Sequence, residues 1–136
     1  METKALLTAV AVAELPAGVG LLVAPSAVVE LLLGLALSLG ASLVVARVAG
    51  IALVALGLAC WLERSANGGR RPHGLLVGLL VYNAAVPVLL IQRYMTLATG
   101  GLAWWPAVGV HLAFAVWLVL CLRLRKRQAQ VQSGSP

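Results

Sequence analysis

The sequence contains very few charged residues: they make up 10% of the chain, whereas a soluble domain carries about 25%. Acidic residues are the scarcest, with four Asp and Glu against ten Lys and Arg. The motifs of a P-loop, a serine-hydrolase elbow and a zinc metalloprotease are also absent. The shortage of charge excludes a soluble globular domain, and the missing motifs predict that the protein is not an enzyme and holds no metal or cofactor.

The remainder of the chain is mostly apolar, with 62% hydrophobic residues. Four stretches of about 20 almost wholly apolar residues can each cross a ~30 Å hydrocarbon layer as an α-helix. Helices are suited to this environment because they satisfy their own peptide groups where water is absent. The stretches are residues 5–24, 43–62, 75–94 and 104–122. The sequence therefore predicts an all-α, polytopic membrane four-helix bundle, formed by a single domain of residues 1–127.

Residues 26–40 are too short to cross the layer comfortably and too apolar for a free loop. We predict an additional helix here that lies in the membrane interface or enters the layer partway as a re-entrant segment. The alternative is a short fifth span, which would put the two termini on opposite sides of the membrane. At the other end of the chain, the polar residues 128–136 are predicted to form a disordered tail.

The basic residues that flank the spans mark one side of the membrane. Cytoplasmic flanks are enriched in Lys and Arg, and with four crossings these residues fall on one side, apart from the border residue Arg93. We therefore predict a multi-pass protein of the bacterial inner membrane with both termini in the cytoplasm. The residues assigned to topology and to lipid head groups are Arg64, Arg70, Arg71, Arg123, Arg125, Lys126 and Arg127. This distribution favours lipid contact and indicates no nucleic-acid binding.

Four ionisable or amide side chains of note lie well inside the predicted spans, away from their borders, where a charge costs at least ~2.5 kcal/mol and normally faces a partner or a cavity. They are Glu14, Arg47, Asn83 and His111, and their depths overlap. Small residues three or four positions from the acid, the arginine and the histidine indicate packed helix faces. Tyr82 precedes the asparagine directly. The sequence predicts that these five side chains line one buried polar site.

Two interpretations of this site remain open. In the first, Glu14 and Arg47 form a structural ion pair, while Asn83 and His111 make hydrogen bonds between helices. In the second, Glu14 or His111 exchanges protons and the site binds a small-molecule ligand. An ion pair would be weak evidence for a purely structural role, because the cost of desolvation can cancel its attraction.

Pairs of small residues four positions apart predict close contacts between helices in lipid. Gly74 with Gly78 and Ala46 with Gly50 are two such pairs. We expect them to pack inside the bundle. The alternative is that one of these pairs forms the seam of a homodimer or of a larger membrane complex.

Two resemblances to known families bear on function. The segment AVAVAELPAGVG, with Glu14 at its centre, resembles the first span of the small multidrug resistance transporters, which implies that this acid binds protons and cationic substrates in turn. The aromatic and proline pattern of that family's second and third spans is absent. The runs ARVAGIALVALGLACWLERS and GLLVGLLVYNAAV resemble small four-helix bacterial membrane proteins of the DoxX-like kind. This second likeness implies a fold but little about mechanism.

The sequence favours a structural or accessory membrane protein that binds a partner or a lipid, because Arg47 can neutralise Glu14. The alternative is a proton-coupled carrier of a small cationic or amphipathic solute, working as a dimer because one four-helix bundle is thin for enclosing a pathway. The expected partners are membrane lipids, a small-molecule ligand, and a second copy or a larger complex. Glu14 discriminates between the two functions.

Overall fold

The computed structural model describes residues 3–37, 40–65 and 73–133, which form five α-helices and no strand. The helices are α1 (Thr3–Val23), α2 (Pro25–Leu33), α3 (Ala41–Glu63), α4 (His73–Leu97) and α5 (Trp104–Ser133). All except α2 are long and apolar enough to cross a membrane. The predicted all-α membrane bundle is confirmed, and the chain is a multi-pass membrane protein.

The short helix α2 begins close to the predicted position but ends earlier. Pro25 starts it, because a proline's missing N–H and fixed φ suit the first turn of a helix. Gly34 ends it with a φ of 69°, and its N–H donates to the carbonyl oxygen of Glu30 over 2.8 Å. The nine residues of α2 rise only about 13 Å. The alternative of a fifth span is therefore wrong, since a helix of this length cannot cross the layer.

The remainder of the segment predicted as residues 26–40 is not part of α2. Residues 34–37 are described and lie outside any helix, whereas residues 38–39 lie outside the described part of the chain. A glycine in the left-handed conformation at the end of α2 accounts for the difference, because it turns the chain away from the helix axis.

The last helix is longer than predicted. α5 continues to Ser133, so residues 128–133, expected to be disordered, are helical. Arg, Lys, Gln and Ala are good helix formers, and the polar part of α5 contains neither Pro nor Gly. A helix that leaves the apolar layer can therefore continue through this segment. Residues 134–136 lie outside the described residues.

The long helices pack as two pairs. α1 packs most extensively against α3, and α4 packs most extensively against α5. Arg125 donates a hydrogen bond to the hydroxyl of Thr3 over 2.9 Å, so the start of α1 and the basic part of α5 lie at the same end of the bundle. We call this the basic end, because Lys4 and Arg64 also lie there. The other end, which carries α2, is the α2 end.

α1 and α3 pack closely through small residues. A Cβ atom on Gly18 would lie 2.8 Å from the carbonyl oxygen of Gly50, and a Cβ atom on Gly50 would lie 2.8 Å from that of Gly18. A Cβ atom on Gly57 would lie 2.8 Å from Cγ of Leu15. Close backbone approach of this kind holds helices together in lipid, where apolar burial alone does not. We call the contact of Gly18, Gly50 and Gly57 the glycine seam.

The loop of residues 98–103, which joins α4 to α5, contacts α2. The N–H groups of Gly101 and Ala103 donate to the carbonyl oxygens of Leu32 and Leu31 over 3.1 and 2.9 Å. These carbonyls lie at the end of a helix, where no helical donor is available to them. A Cβ atom on Gly101 would collide with the carbonyl oxygen of Leu31. Backbone hydrogen bonds therefore hold α2 against this loop.

Candidate functional site

Glu14 lies on the buried face of α1 and is only 4% exposed. Val10 and Ala11 come four and three residues before it, Gly18 comes four residues after it, and all three are buried. Residues at these spacings share one side of a helix. Packing of this face therefore turns the carboxyl group of Glu14 into the bundle and away from lipid.

Tyr82 on α4 contacts Glu14 across the bundle. The hydroxyl group of Tyr82 donates a hydrogen bond to Oε2 of Glu14 over 3.2 Å. Among the described residues, the backbones of α1 and α4 approach each other closely at few points. A long side chain is therefore needed to join the two helices at this level.

His111 on α5 packs against Tyr82, with ring centroids 5.5 Å apart and ring planes inclined by 58°. Nδ1 of His111 lies 2.8 Å from the carbonyl oxygen of Ala107. Because a carbonyl oxygen only accepts, Nδ1 carries a proton and donates this bond. In the neutral imidazole Nε2 is then an acceptor, and this atom is buried without a hydrogen-bond partner among the described residues.

Asn83 follows Tyr82 in α4 and is fully buried. Its Nδ2 donates to the carbonyl oxygen of Leu79 over 2.9 Å, whereas its Oδ1 is buried and has no partner in the described part of the chain. Pro87, four residues later, has no N–H to donate to the main-chain carbonyl of Asn83. Asn83 thus supplies a side-chain acceptor, and a carbonyl that lacks its usual helical donor, at the depth of Tyr82.

Glu14, Tyr82, Asn83 and His111 are the predicted site residues that are buried or half-buried, and we call them the polar cluster. Tyr82 contacts both Glu14 and His111, whereas Asn83 adjoins Tyr82 along α4 and bonds within its own helix. Two groups of buried apolar side chains lie on either side of it. The basic-end group consists of Leu6, Leu7, Val10, Ala11, Cys60, Leu76, Leu79, Leu118 and Cys121. The α2-end group consists of Leu90, Trp104 and Val108. Apolar side chains therefore separate the polar cluster from both ends of the bundle.

Arg47 does not belong to the polar cluster, because its side chain lies on the exposed surface of α3. Besides its tyrosine partner, the ionisable neighbours of the Glu14 carboxyl among the described residues include His111 on α5 and Cys60 on α3, and Arg47 is not among those that influence it. The predicted Glu14–Arg47 ion pair and the predicted place of Arg47 in the buried site are therefore wrong. The physical reason is the packing of α3: Ala46 and Gly50 are buried, and this orientation turns Arg47 outward.

An outward arginine is tolerable at this position because of its depth. Arg47 lies six residues after Ala41, the first residue of α3, which is about 9 Å of helix rise. Arginine carries its charge on a long apolar stem, which can run along the helix surface to the head-group region. The side chain therefore needs no buried partner.

The two predicted pairs of small residues have different surroundings. Ala46 and Gly50 are buried, as expected for contacts inside the bundle. Gly74 and Gly78 are exposed on α4, and a Cβ atom added to either would meet no atom within 4 Å. The prediction that Gly74 and Gly78 pack inside the bundle is therefore wrong for the described chain.

The basic residues lie at the ends of the helices. The guanidinium group of Arg64 lies over the ring of Trp61, with Cζ 3.3 Å from the ring centroid, and donates to the carbonyl oxygen of the same residue. Arg123 and Arg127 are exposed on α5. Arg125, also on α5, bonds the hydroxyl of Thr3. Three further residues assigned to lipid head groups lie outside the described residues or side chains: Arg70, Arg71 and Lys126.

Arg93 has contacts that the sequence did not reveal. Its Nη1 donates to the carbonyl oxygen of Thr99 over 2.8 Å, and its Cζ lies 5.8 Å from the ring centroid of Trp104. Arg93 makes these contacts because the loop after α4 folds back toward it. Helical periodicity describes neighbours within one helix, so it carries no signal for a contact made through a loop.

Among the described residues, no group of three or more His, Cys, Asp and Glu side chains could hold a metal ion. Cys60 and Cys121 are free thiols, both buried in the basic-end group. Comparisons with protein-family models, with curated proteins and with solved structures gave no match to this chain. The geometry of the polar cluster is therefore the basis for assigning a function.

Proposed function

We propose that the protein is a proton-coupled carrier in which Glu14 binds a small cationic or amphipathic solute and a proton in turn. The observation that carries this proposal is the surroundings of Glu14, which is buried against Tyr82 and has no pairing with Arg47. Ionisable groups inside membrane spans are costly and ordinarily serve a function. An accessory role was favoured because Arg47 could neutralise Glu14. The exposed position of Arg47 removes that argument. The proposed role is binding and exchange rather than enzymatic catalysis.

The arrangement of the helices supports this proposal. The polar cluster joins α1 to α4 and α5, at the junction of the α1–α3 pair with the α4–α5 pair. Carriers commonly work by rocking one group of helices against another around a central site. Movement of one pair against the other would open the basic-end group or the α2-end group in turn. The polar cluster would then face one side of the membrane at a time.

A second candidate function is an accessory bundle that binds a partner, a lipid or a second copy of the chain. Two exposed features favour it. Arg47 presents a cation on the membrane-facing surface of α3, and Gly74 and Gly78 leave open space beside α4. Small residues on a lipid-facing surface allow another helix to approach closely.

We also propose that the protein lies in the bacterial inner membrane with both termini in the cytoplasm. Support comes from the number of basic residues: Lys4, Arg64, Arg123, Arg125 and Arg127 lie at the basic end, whereas Arg47 and Arg93 lie toward the α2 end. Cytoplasmic flanks of spans are enriched in Lys and Arg. The exposed arginines of α5 would there contact anionic lipid head groups. The likeness to the two membrane protein families stays a prediction.

Proton exchange at Glu14 can be measured in proteoliposomes that contain a trapped pH indicator. The probes are benzylammonium and benzyltrimethylammonium, added outside the vesicles. We expect at least one of them to move protons faster than in protein-free liposomes, which report permeation of the neutral amine. Glu14→Gln should return this rate to the protein-free level, because glutamine keeps the size and an acceptor for Tyr82 but carries no exchangeable acid.

The matched control is Glu30→Gln, which removes an exposed acid of α2. It should keep the wild-type rate. Wild-type proton movement in Glu14→Gln would show that the carrier proposal is wrong, as would the absence of a response to both probes in the wild-type protein. A Glu14→Gln variant that changes only thermal stability would favour the accessory function.

A further inference from the structure

The polar cluster contains many hydrogen-bond acceptors and few donors. Nε2 of His111 and Oδ1 of Asn83 are both buried, and neither has a partner within residues 3–37, 40–65 and 73–133. The main-chain carbonyl of Asn83 receives no N–H from Pro87. The hydroxyl of Tyr82 is a donor, but it already binds Glu14. Nδ1 of His111 and Nδ2 of Asn83 are donors engaged by main-chain carbonyls of their own helices. With only the second N–H of the Asn83 amide unassigned, the acceptors of the cluster outnumber its free donors.

The identity of each acceptor follows from chemistry. The atom of Asn83 that faces the carbonyl oxygen of Leu79 at 2.9 Å must be the amide nitrogen, so the unpartnered atom is the oxygen. The nitrogen of His111 that faces the carbonyl oxygen of Ala107 must carry a proton, so the free nitrogen of the neutral ring is an acceptor. The carbonyl partners, which can only accept, identify the two donor nitrogens, and the acceptor at Nε2 of His111 belongs to the neutral ring.

We infer that the polar cluster binds a cation that donates N–H hydrogen bonds, such as a primary ammonium group, and that it discriminates against a fully alkylated ammonium of equal charge. This inference rests on the proposed function and narrows its solute class. A carboxylate at Glu14 attracts any cation. Only a cation with N–H groups can also satisfy the acceptors of His111 and Asn83.

Discrimination should come from the cost of leaving these acceptors unsatisfied. A primary ammonium has three donors, enough for Glu14, His111 and Asn83 together. A trimethylammonium group has none, so it would bury the same acceptors against methyl groups. Sites that hydrogen-bond a polar group reject analogues lacking that group far more strongly than apolar pockets reject a change in size.

A bound water molecule is the other occupant that could donate to these acceptors. Water would satisfy the cluster without selecting among cations. A cluster already satisfied by water would bind the two ammonium probes equally or bind neither. A comparison of the two probes therefore separates a site for an N–H cation from a merely hydrated cluster.

The test uses the purified full-length chain in detergent micelles and isothermal titration calorimetry. Benzylammonium should bind at least about tenfold more tightly than benzyltrimethylammonium, which is the effect of one hydrogen bond to a charged group. Asn83→Leu should weaken benzylammonium binding by about the same factor and leave benzyltrimethylammonium binding unchanged. Gln92→Leu, on an exposed part of α4, is the matched control and should alter neither affinity.

Each outcome of the titrations has a distinct meaning. Equal affinities for the two probes, both lost in Glu14→Gln, would overturn this inference and leave the carrier proposal intact. Absence of binding, or binding that is unaffected by Glu14→Gln, would overturn both. An equal loss of affinity for both probes in Asn83→Leu would also overturn the inference, since it would indicate a general structural change. If that variant does not fold, His111→Phe removes the other acceptor while keeping a ring beside Tyr82, and the same selective loss is expected.

Discussion

The two contact regions of α1 use opposite chemistry within one helical turn. At Gly18 the backbone of α1 approaches that of α3 so closely that a single Cβ atom would lie 2.8 Å from a carbonyl oxygen. At Glu14 the helix meets α4 through the reach of a tyrosine side chain instead. The glycine seam therefore brings α1 and α3 into close contact because glycines leave no side chain between them. The polar cluster instead joins the helix pairs through contacts between side chains.

This difference separates stability from function. The glycine seam has no space to accept added atoms, so changes in volume should be costly there. A cluster that contains unpartnered acceptors carries an energetic cost of its own. Substitutions that remove an acceptor from the cluster should therefore be tolerated in stability while they impair binding.

Gly18→Leu gives the largest expected effect and tests the seam directly. The new side chain would have to displace the backbone of Gly50 and the side chain of Val54. We expect the free energy of unfolding, measured by titration with sodium dodecyl sulfate in mixed micelles, to fall by about 3 kcal/mol or more. The control is Gly78→Leu, because a Cβ atom on Gly78 meets open space. Equal losses in the two variants would contradict the existence of a close α1–α3 seam.

Tyr82→Phe should have a smaller effect, because it removes one hydrogen bond and keeps the ring against His111. Hydrogen bonds between helices in membranes contribute about 0.6 kcal/mol on average, and we expect a loss of that size in the same titration. Tyr94→Phe is the control, since Tyr94 packs against Trp104 and Trp105 at the α2 end. A loss as large as that of Gly18→Leu would mean that the polar cluster, too, is a major source of stability.

Asn83→Leu tests the cost of the unpartnered acceptor. Leucine has a volume similar to that of asparagine. The substitution removes the hydrogen bond that Nδ2 of Asn83 donates to the carbonyl oxygen of Leu79. Replacing an unsatisfied buried oxygen by a methyl group should leave the free energy of unfolding unchanged or raise it by up to about 1 kcal/mol. Chemical denaturation of this variant and of Gln92→Leu, side by side, measures the difference. A clear loss of stability would indicate that Oδ1 of Asn83 has a stabilising partner.

The four spans could be predicted from the sequence because the thickness of the hydrocarbon layer fixes the length of an apolar helix. Local chemistry decided the details that could not be predicted. A left-handed conformation at Gly34 shortened α2, and good helix formers carried α5 through residues 128–133. Neither outcome follows from hydropathy, which reports membrane depth but not where a chain turns.

The candidate site could be predicted in part. Glu14, Asn83 and His111 were identified because polar groups are rare inside spans, and the contacts of Tyr82 join two of them. Arg47 was assigned wrongly because the sequence gives its depth and not its direction around the helix. A helix that is apolar on all sides has no amphipathic face to set that direction. In α3 the buried glycines set it instead.

Arg47→Leu is the smallest expected effect and bears on this same point. Removing one partner of a buried ion pair costs about 3–5 kcal/mol, because it leaves the other charge uncompensated. The exposed side chain of Arg47 lies apart from Glu14, so we expect no measurable change in the free energy of unfolding or in the affinity for benzylammonium. The denaturation and calorimetric titrations measure these two quantities, and Gly18→Leu, run in parallel, shows how large a loss of stability the denaturation titration detects. A loss of several kcal/mol in the free energy of unfolding would indicate that Arg47 and Glu14 form an ion pair. That result would favour the accessory function, because a neutralised Glu14 could not serve as a cation site.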